Sequence, residues 1–401
     1  MRFLRAALVA TLLAGCGEEA TSPSTHEQPT LALATAAGPL SFRQVSTGRG
    51  HACGVTTDDR AYCWGYSLWG QLGHGSYGGP EECNTHPCSS RPVAVVGGLR
   101  FRSVSTGDEH SCGVTTDNRV YCWGRNTEGQ LGDGTQNGSA TPVAVAGTRR
   151  FREVTAGGAH TCAITTTDLA FCWGYNKSGQ LGIGTTTDQL TPARVLGGLL
   201  WRQLSAGAIH TCGRTTADRA YCWGNNTKGE LGNGSTTPRL KPAAVSSGLQ
   251  FRQIDAGFNH TCAVTSSGYR AYCWGGNDVG GIGDGTRTTR LTPTPVVDTR
   301  RYDQVSAGGF HTCGVLRTSG KGMCWGAGVA GQLGNGTRFR RATPTPVSGS
   351  LLLAQISAGF GSTCAVTTGS RAYCWGDNFP GQLGDGTTDS HLAPTAVAPP
   401  T

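Results

Sequence analysis

The side chains with the widest chemical reach in this chain are its 17 cysteines and 10 histidines. A cysteine thiolate attacks electrophiles or binds soft metals, and an imidazole transfers protons or ligates zinc. Fourteen of the cysteines form seven pairs set ten or eleven positions apart: Cys53 with Cys63, Cys112 with Cys122, Cys162 with Cys172, Cys212 with Cys222, Cys262 with Cys273, Cys313 with Cys324 and Cys364 with Cys374. Cys83 and Cys88 make an eighth pair, and Cys16 stands alone near the start. In six units a histidine lies two residues before the first cysteine, at His51, His110, His160, His210, His260 and His311, with Ser362 in the seventh. A zinc centre wants four converging ligands and no CxxC spacing supplies them, so a metal or redox role is the weaker reading. The histidines follow a recurrent glycine at a tight turn, where an imidazole is expected to hydrogen-bond local backbone groups.

What positions these residues is a repeat. The landmarks of CGVTTDDRAYCWG recur with a period of about 50 residues, and each second cysteine is followed by Trp-Gly, from Trp64-Gly65 to Trp375-Gly376. Within one unit FRQVSTG, HACGV, AYCWG and PVAVV read as four strands separated by Gly-rich and Thr-rich turns. On AYCWG, Cys63 shares a face with Ala61 and Gly65, opposite Tyr62 and Trp64. Both faces are small or apolar, so each sheet must be covered twice, and sheets standing side by side in a ring achieve this. The fold expected is all-β, a seven-bladed β-propeller with four antiparallel strands per blade. The first unit opens at FRQVSTG without a preceding PVAV strand, while the chain ends in APTAVAPP, residues 393–400. That C-terminal strand is therefore expected to close the first blade, with LALATAA, residues 31–37, as its rival.

The first segment, MRFLRAALVATLLAGC, sets Arg2 and Arg5 ahead of an apolar run too short to span a bilayer, the layout of an export signal. Leu13-Ala14-Gly15-Cys16 resembles the lipobox of bacterial lipoproteins, which implies lipidation of Cys16 after loss of a signal peptide in residues 1–16. Residues 17–40 read as a flexible tether rich in Thr, Ser, Ala, Pro and Glu, leaving 41–401 to the propeller. The location expected is the bacterial cell envelope, at the outer membrane or cell surface, with the membrane engaged through lipid on Cys16. Removing Arg2 and Arg5 lowers the net charge from +8 to about +6, and without a Lys/Arg run no nucleic-acid partner is expected. In an exported chain, even cysteine counts at fixed spacing point to structural disulfides, and opposite residues on antiparallel strands lie near enough to be bridged. Closing a loop of about 11 residues contributes roughly 2.8 kcal/mol on the chain-entropy account.

The repeat GxxHxCxV…YCWGxNxxGQLGxGT…TPVAV resembles that of the regulator of chromosome condensation family. Its GQLGxG core stands at residues 70–75, 129–134, 179–184, 331–336 and 381–386; Glu230 alters it to GELGNG, and GGIGDG at 280–285 departs further. The resemblance covers about residues 41–401 and implies a propeller whose faces and loops bind other molecules. It implies no single partner, since the nuclear founder promotes nucleotide exchange on a small GTPase and docks on nucleosomes, whereas a secreted relative inhibits β-lactamases. An export signal argues against the nuclear activities. The function expected is a monomeric protein-binding or scaffold module at the cell envelope, its partner an unidentified protein or other envelope macromolecule. The alternative is a secreted protein inhibitor of a hydrolase such as a β-lactamase; an exchange-type GTPase regulator or an enzyme is less favoured.

No Ser-His-Asp set or paired-carboxylate arrangement stands apart from the repeat, and the GDGT and GNGT tracts at Asp133 and Asn233 lack the DxDxDG ligand series of a calcium loop. No catalytic residue, cofactor or metal site is therefore expected. The marked break in symmetry is the insertion SYGGPEECNTHPCSS, residues 76–90, about nine residues beyond the period. A projection stapled by its own cysteines costs less to order on binding, so Tyr66, Trp69 and Tyr77 are the first partner contacts expected.

Overall fold

The computed structural model describes residues 38–400; the export segment, Cys16, the tether up to residue 37 and the LALATAA stretch fall outside them. Each unit supplies an inner strand, such as Phe151–Ala156, then His160–Thr165, Ala170–Gly174 and an outer strand Gln189–Arg194. The four pair antiparallel in chain order, and seven such sheets follow one another. In the third blade Cys162 lies directly opposite Cys172, and all seven repeat pairs are disulfide-bonded with Cα atoms 4.0 to 4.1 Å apart. Cys83 and Cys88 are joined as well.

Every blade is built from contiguous chain, which corrects the expectation that the C-terminal strand closes the first blade. His391–Ala396 pairs with Ala372–Gly376 inside the seventh blade, and the first blade takes its outer strand, His86–Ala94, from its own unit. The outer strand follows the third through the GQLG loop, so pairing it locally closes a short loop and leaves no vacancy for a distant segment. The insertion folds a fifth strand, Glu81–Cys83, onto the edge of the first blade.

Closure of the ring falls to contacts between neighbouring sheets. The inner strands face a central channel, where glutamine side chains clamp the next blade's backbone: Gln355 Oε1 accepts Val45 N–H at 3.0 Å while its Nε2 donates to Val45 O at 2.9 Å. Gln44, Gln203, Gln253 and Gln304 do the same to Val104, Ile254, Val305 and Ile356. A second ring is unbroken: Ser46, Ser105, Thr155, Ser205, Asp255, Ser306 and Ser357 each accept a backbone N–H from the following blade at 2.8 to 3.1 Å.

The apolar core is divided among the seven inter-blade gaps. Between the first two blades, Cys53, Val55, Cys63 and Leu72 pack against Phe101, Val104 and Trp123. Each repeat tryptophan is buried on the second glycine of the preceding GQLGxG tract. Gly132 has φ +70°, and a Cβ there would stand 2.5 Å from Trp173 Nε1. Positive φ and a closed wall together demand glycine. Replacing Gly132 with alanine should therefore lower stability by about 2 kcal/mol or more, through backbone strain and displacement of the indole. Thermal melting reads this directly, and an unchanged melting temperature would contradict the seat assigned to Gly132.

Candidate interaction faces

Antiparallel order gives each end of the ring its own loops. The turns between first and second strands, such as 48–50, share the upper face with the long loops before the outer strands, such as 67–85. The hairpins between second and third strands, such as 57–60, share the lower face with the inter-blade connections, such as 95–100.

Beneath the upper face the histidines make a relay across six of the seven seams and do not bond their own turn. His110 Nε2 lies 2.9 Å from Thr161 Oγ1 of the next blade, and that hydroxyl donates back to Gln130 O at 2.8 Å. Gln130 O also accepts Trp173 Nε1–H at 2.9 Å. Because the threonine's hydrogen is spent on Gln130 O, the imidazole must carry its hydrogen on Nε2 and donate. The pairs His51–Ser111, His160–Thr211, His210–Thr261, His260–Thr312 and His311–Thr363 repeat this at 2.8 to 3.0 Å. Where Gly281 replaces glutamine, its backbone carbonyl still accepts both bonds, so the main chain carries the contact and GGIGDG is tolerated. One seam lacks the relay: Ser362 stands in the imidazole's place and Ala52 in the hydroxyl's, leaving Trp64 Nε1–H to Gln382 O at 3.0 Å.

Burial without a counter-charge pulls these imidazoles down, to about 3 for His51, His110, His160, His210 and His311 and about 4 for His260. With Nε2 committed and the rings in separate seams, the six form no ligand set. Two carboxylates break the symmetry of the channel. Glu153 occupies a glutamine-clamp position, accepts Leu204 N–H at 2.8 Å and is pushed by burial up to about 7. Asp255 sits in the hydroxyl ring, accepts Ala307 N–H and Ser205 Oγ–H, and burial raises it to about 6. Asp255 accepts the inter-blade N–H as the serines do, and Glu153 keeps the accepting half of the glutamine clamp, with no N–H to give to Leu204 O. Their mark in the sequence is a carboxylate in FREVTA where the other first strands have Gln or Ser at the third position, and in FRQIDA where they have Ser or Thr at the fifth.

The insertion braces the seam that lacks the relay. Asn84 Nδ2 donates to Phe379 O at 2.8 Å, and His86 sits between Tyr66 and Phe379, tilted to the first and edge-to-face with the second, with centroids 6.0 and 5.4 Å away. On its other side Tyr77 Oη donates to Gly138 O of the second blade, and the Arg125 guanidinium lies 5.4 Å from the Trp69 ring. The structure thus places Tyr66 toward blade seven and Trp69 and Tyr77 toward blade two, and does not gather the three into one patch. The sulfurs of Cys83 and Cys88 are bonded to each other, and the nearby Glu81 accepts Ser90 Oγ–H.

An apolar groove of about 440 Å³ crosses the upper face of blades five to seven, lined by Val279, Phe310, Ala327, Val329, Ala330 and Phe360 and edged by Arg340 and Asp377. Phe258, Phe310 and Phe360 touch one another with centroids 5.5 to 5.6 Å apart, and Arg49 lies over Phe360 at the channel mouth. Its origin is a local departure in blade six. In five blades an asparagine ties the long loop together, as Asn176 does by donating to Thr185 O and Thr187 O and accepting Leu181 N–H, and in the first Ser67 Oγ donates to Gly78 O. Blade six has Gly328 instead, where a Cβ would stand 2.3 Å from Phe339 O. The loop closes on bare backbone and leaves Val329 64% and Phe339 69% exposed. AGVAGQLG in place of the xNxxGQLG pattern was the readable signal.

Two outcomes follow from the relay. Installing Ser362→His together with Ala52→Thr should add about 0.5 to 1.5 kcal/mol to stability, whereas Ser362→His alone buries an imidazole with no partner and should destabilise. Equal melting temperatures for the single and double variants would contradict the assignment. For pH, the unfolded chain takes up protons as pH falls through about 6.5 while the folded imidazoles stay neutral, so their stabilisation is intact above that value and is lost progressively toward about 3. His160→Gln should show a shallower acid decline in melting temperature, and an identical slope would rule the imidazole out as its source.

Comparison with known proteins places this architecture. The RCC1-like domain family matches residues 12–353, and the regulator of chromosome condensation (RCC1) repeat matches 353–382. The Ultraviolet-B receptor UVR8 of Arabidopsis thaliana is 37% identical over 91 residues, which is 23% of this chain and 19% of the receptor, so the aligned part spans less than a fifth of that relative. The crystal structure of human WBSCR16 superposes with a TM-score of 0.76 at 21% identity, covering 85% of this chain and 94% of the other. Prp20p from Saccharomyces cerevisiae, described with its binding properties to Gsp1p and histones, gives 0.72 at 20% identity over 90% and 87%.

Proposed function

The chain belongs to the RCC1-like domain family, and on that premise we propose that it is an exported, lipid-anchored module that binds a protein of the cell envelope through the groove of blades five to seven. The observation that carries this reading is the groove itself: exposed aliphatic and aromatic side chains collected in one concave strip, with an arginine and an aspartate at its edge. Apolar centres with a polar rim are what protein partners bury. Proteins bound by Prp20p are evidence only that such propellers offer faces to proteins. The export signal, the lipobox and eight disulfides support placement outside the reducing cytoplasm.

The groove is tested by capture from envelope extracts. Val329→Asp should reduce the captured partner about tenfold or more, while Tyr77→Ala should leave it unchanged. The reverse pattern would move the site to the insertion. If the captured protein is a hydrolase, its activity in the complex distinguishes inhibition from scaffolding. For the anchor, the mass of the mature N-terminus should show an acylated Cys16, and an unmodified terminus elsewhere would contradict lipidation.

A further inference from the structure

The modest net charge of the chain conceals a segregation. On the lower face the hairpins and inter-blade connections carry arginine in nearly every blade, and each of the aspartates there lies within ion-pair distance of one, from Asp58 with Arg60 to Asp303 with Arg317. The cations outnumber these partners. Arg102, Arg149, Arg150, Arg219, Arg301 and Arg371 are exposed on this face, and among the described residues none of them is ion-paired. They come from blades two, four and seven and from the connections between blades two and three and between blades five and six, so the positive charge is spread around the ring and not aligned along one strip.

Two further observations say what such a face fits. Leu200, Val297 and Leu352 project from inter-blade connections of the same face, Val297 being 56% exposed and sharing its connection with Arg301, so exposed aliphatic side chains stand among the arginines around the rim. Exposed aliphatics among cations suit the boundary between headgroups and acyl chains, whereas a single-stranded nucleic acid is met by aromatic stacking platforms. The chain also enters the propeller here: Ser41 O accepts Thr57 N–H at 2.9 Å, and Phe42 N–H donates to Ser370 O at 2.7 Å, both in lower-face hairpins.

We propose that the lower face docks on an anionic lipid bilayer, so that the chain lies with this face on the membrane and its upper groove turned outward. The setting rests on the anchored reading above; the charge argument does not. Orientation falls to the arginines, whose attraction to anionic headgroups acts within about a Debye length, roughly 8 to 10 Å at physiological salt.

The test uses the chain beginning at Gly17, which lacks the acylated residue; every core cluster lies within residues 40–397, so none is lost. It should co-sediment with vesicles of phosphatidylglycerol and phosphatidylcholine, and not with phosphatidylcholine alone, and should release as salt is raised. Joint substitution of Arg149→Glu, Arg150→Glu and Arg301→Glu should weaken binding about tenfold or more, while Arg287→Glu, Arg338→Glu and Arg341→Glu on the upper face should not. Absence of binding, or equal loss in both triple variants, overturns the proposal. Preference for duplex DNA over the vesicles at the same salt would assign the face to nucleic acid instead. Because no acyl chain is present, failure here leaves the mass measurement on Cys16 untouched, and failure of that measurement leaves this result standing.

Discussion

The contact on which the structure depends crosses six of the seven seams: a tryptophan of one blade and a hydroxyl of the same blade both donating to a single backbone carbonyl of the blade before. An imidazole of that earlier blade then donates to the hydroxyl, so three side chains and one peptide group close a small network between two sheets. A propeller has no core within a blade, because each sheet is one layer thick. Its stability lies in the gaps. The disulfide faces of one sheet and the indole faces of the next must therefore meet at the same distance and angle seven times. Positive-φ glycines with no room for a Cβ let the indole sit down, and the staples hold each second and third strand in register beneath it.

That division of labour leaves little of the repeat free for chemistry. Thiols are spent in bridges and imidazoles in seams, and the channel carboxylates accept the inter-blade N–H bonds that a glutamine and a serine accept in other blades. What distinguishes this chain from an ideal ring is the choice of where to depart from it. Loss of one asparagine in blade six opens a groove on one face. Arginines gathered in the connections charge the other. The insertion, which looks from sequence like a projection for a partner, reaches to blade seven on one side and blade two on the other, across the seam where Ser362 and Ala52 omit the relay. A stapled hairpin there offsets a missing network.

Much of this was legible in the sequence, for a physical reason: seven copies average out local ambiguity. Blade number, strand order and the cysteine pairing follow from period and alternation. Closure was misread because a unit can be cut at any strand without changing the period, so the sequence does not say whether PVAVV ends one blade or begins the next. Short-range pairing through the GQLG loop decides it. The histidines were misassigned because a one-dimensional repeat cannot show that His110 and Thr161 face each other across a seam. Charge segregation was invisible for a similar cause: Arg150 and Arg371 are far apart in the chain, and only the return of every connection to one face brings them together. The groove had a signal, Gly328 in the place of asparagine, but its meaning depends on knowing what the asparagine ties.

The claim that the two faces do different work is tested most directly by site-specific photo-crosslinking on intact cells, with the reactive group placed in turn at Val329, Tyr77 and Arg150. The account gives a discrete protein adduct from Val329, lipid adducts from Arg150 and neither as the dominant product from Tyr77. One and the same protein captured from Tyr77 and Arg150 but not from Val329 would contradict it.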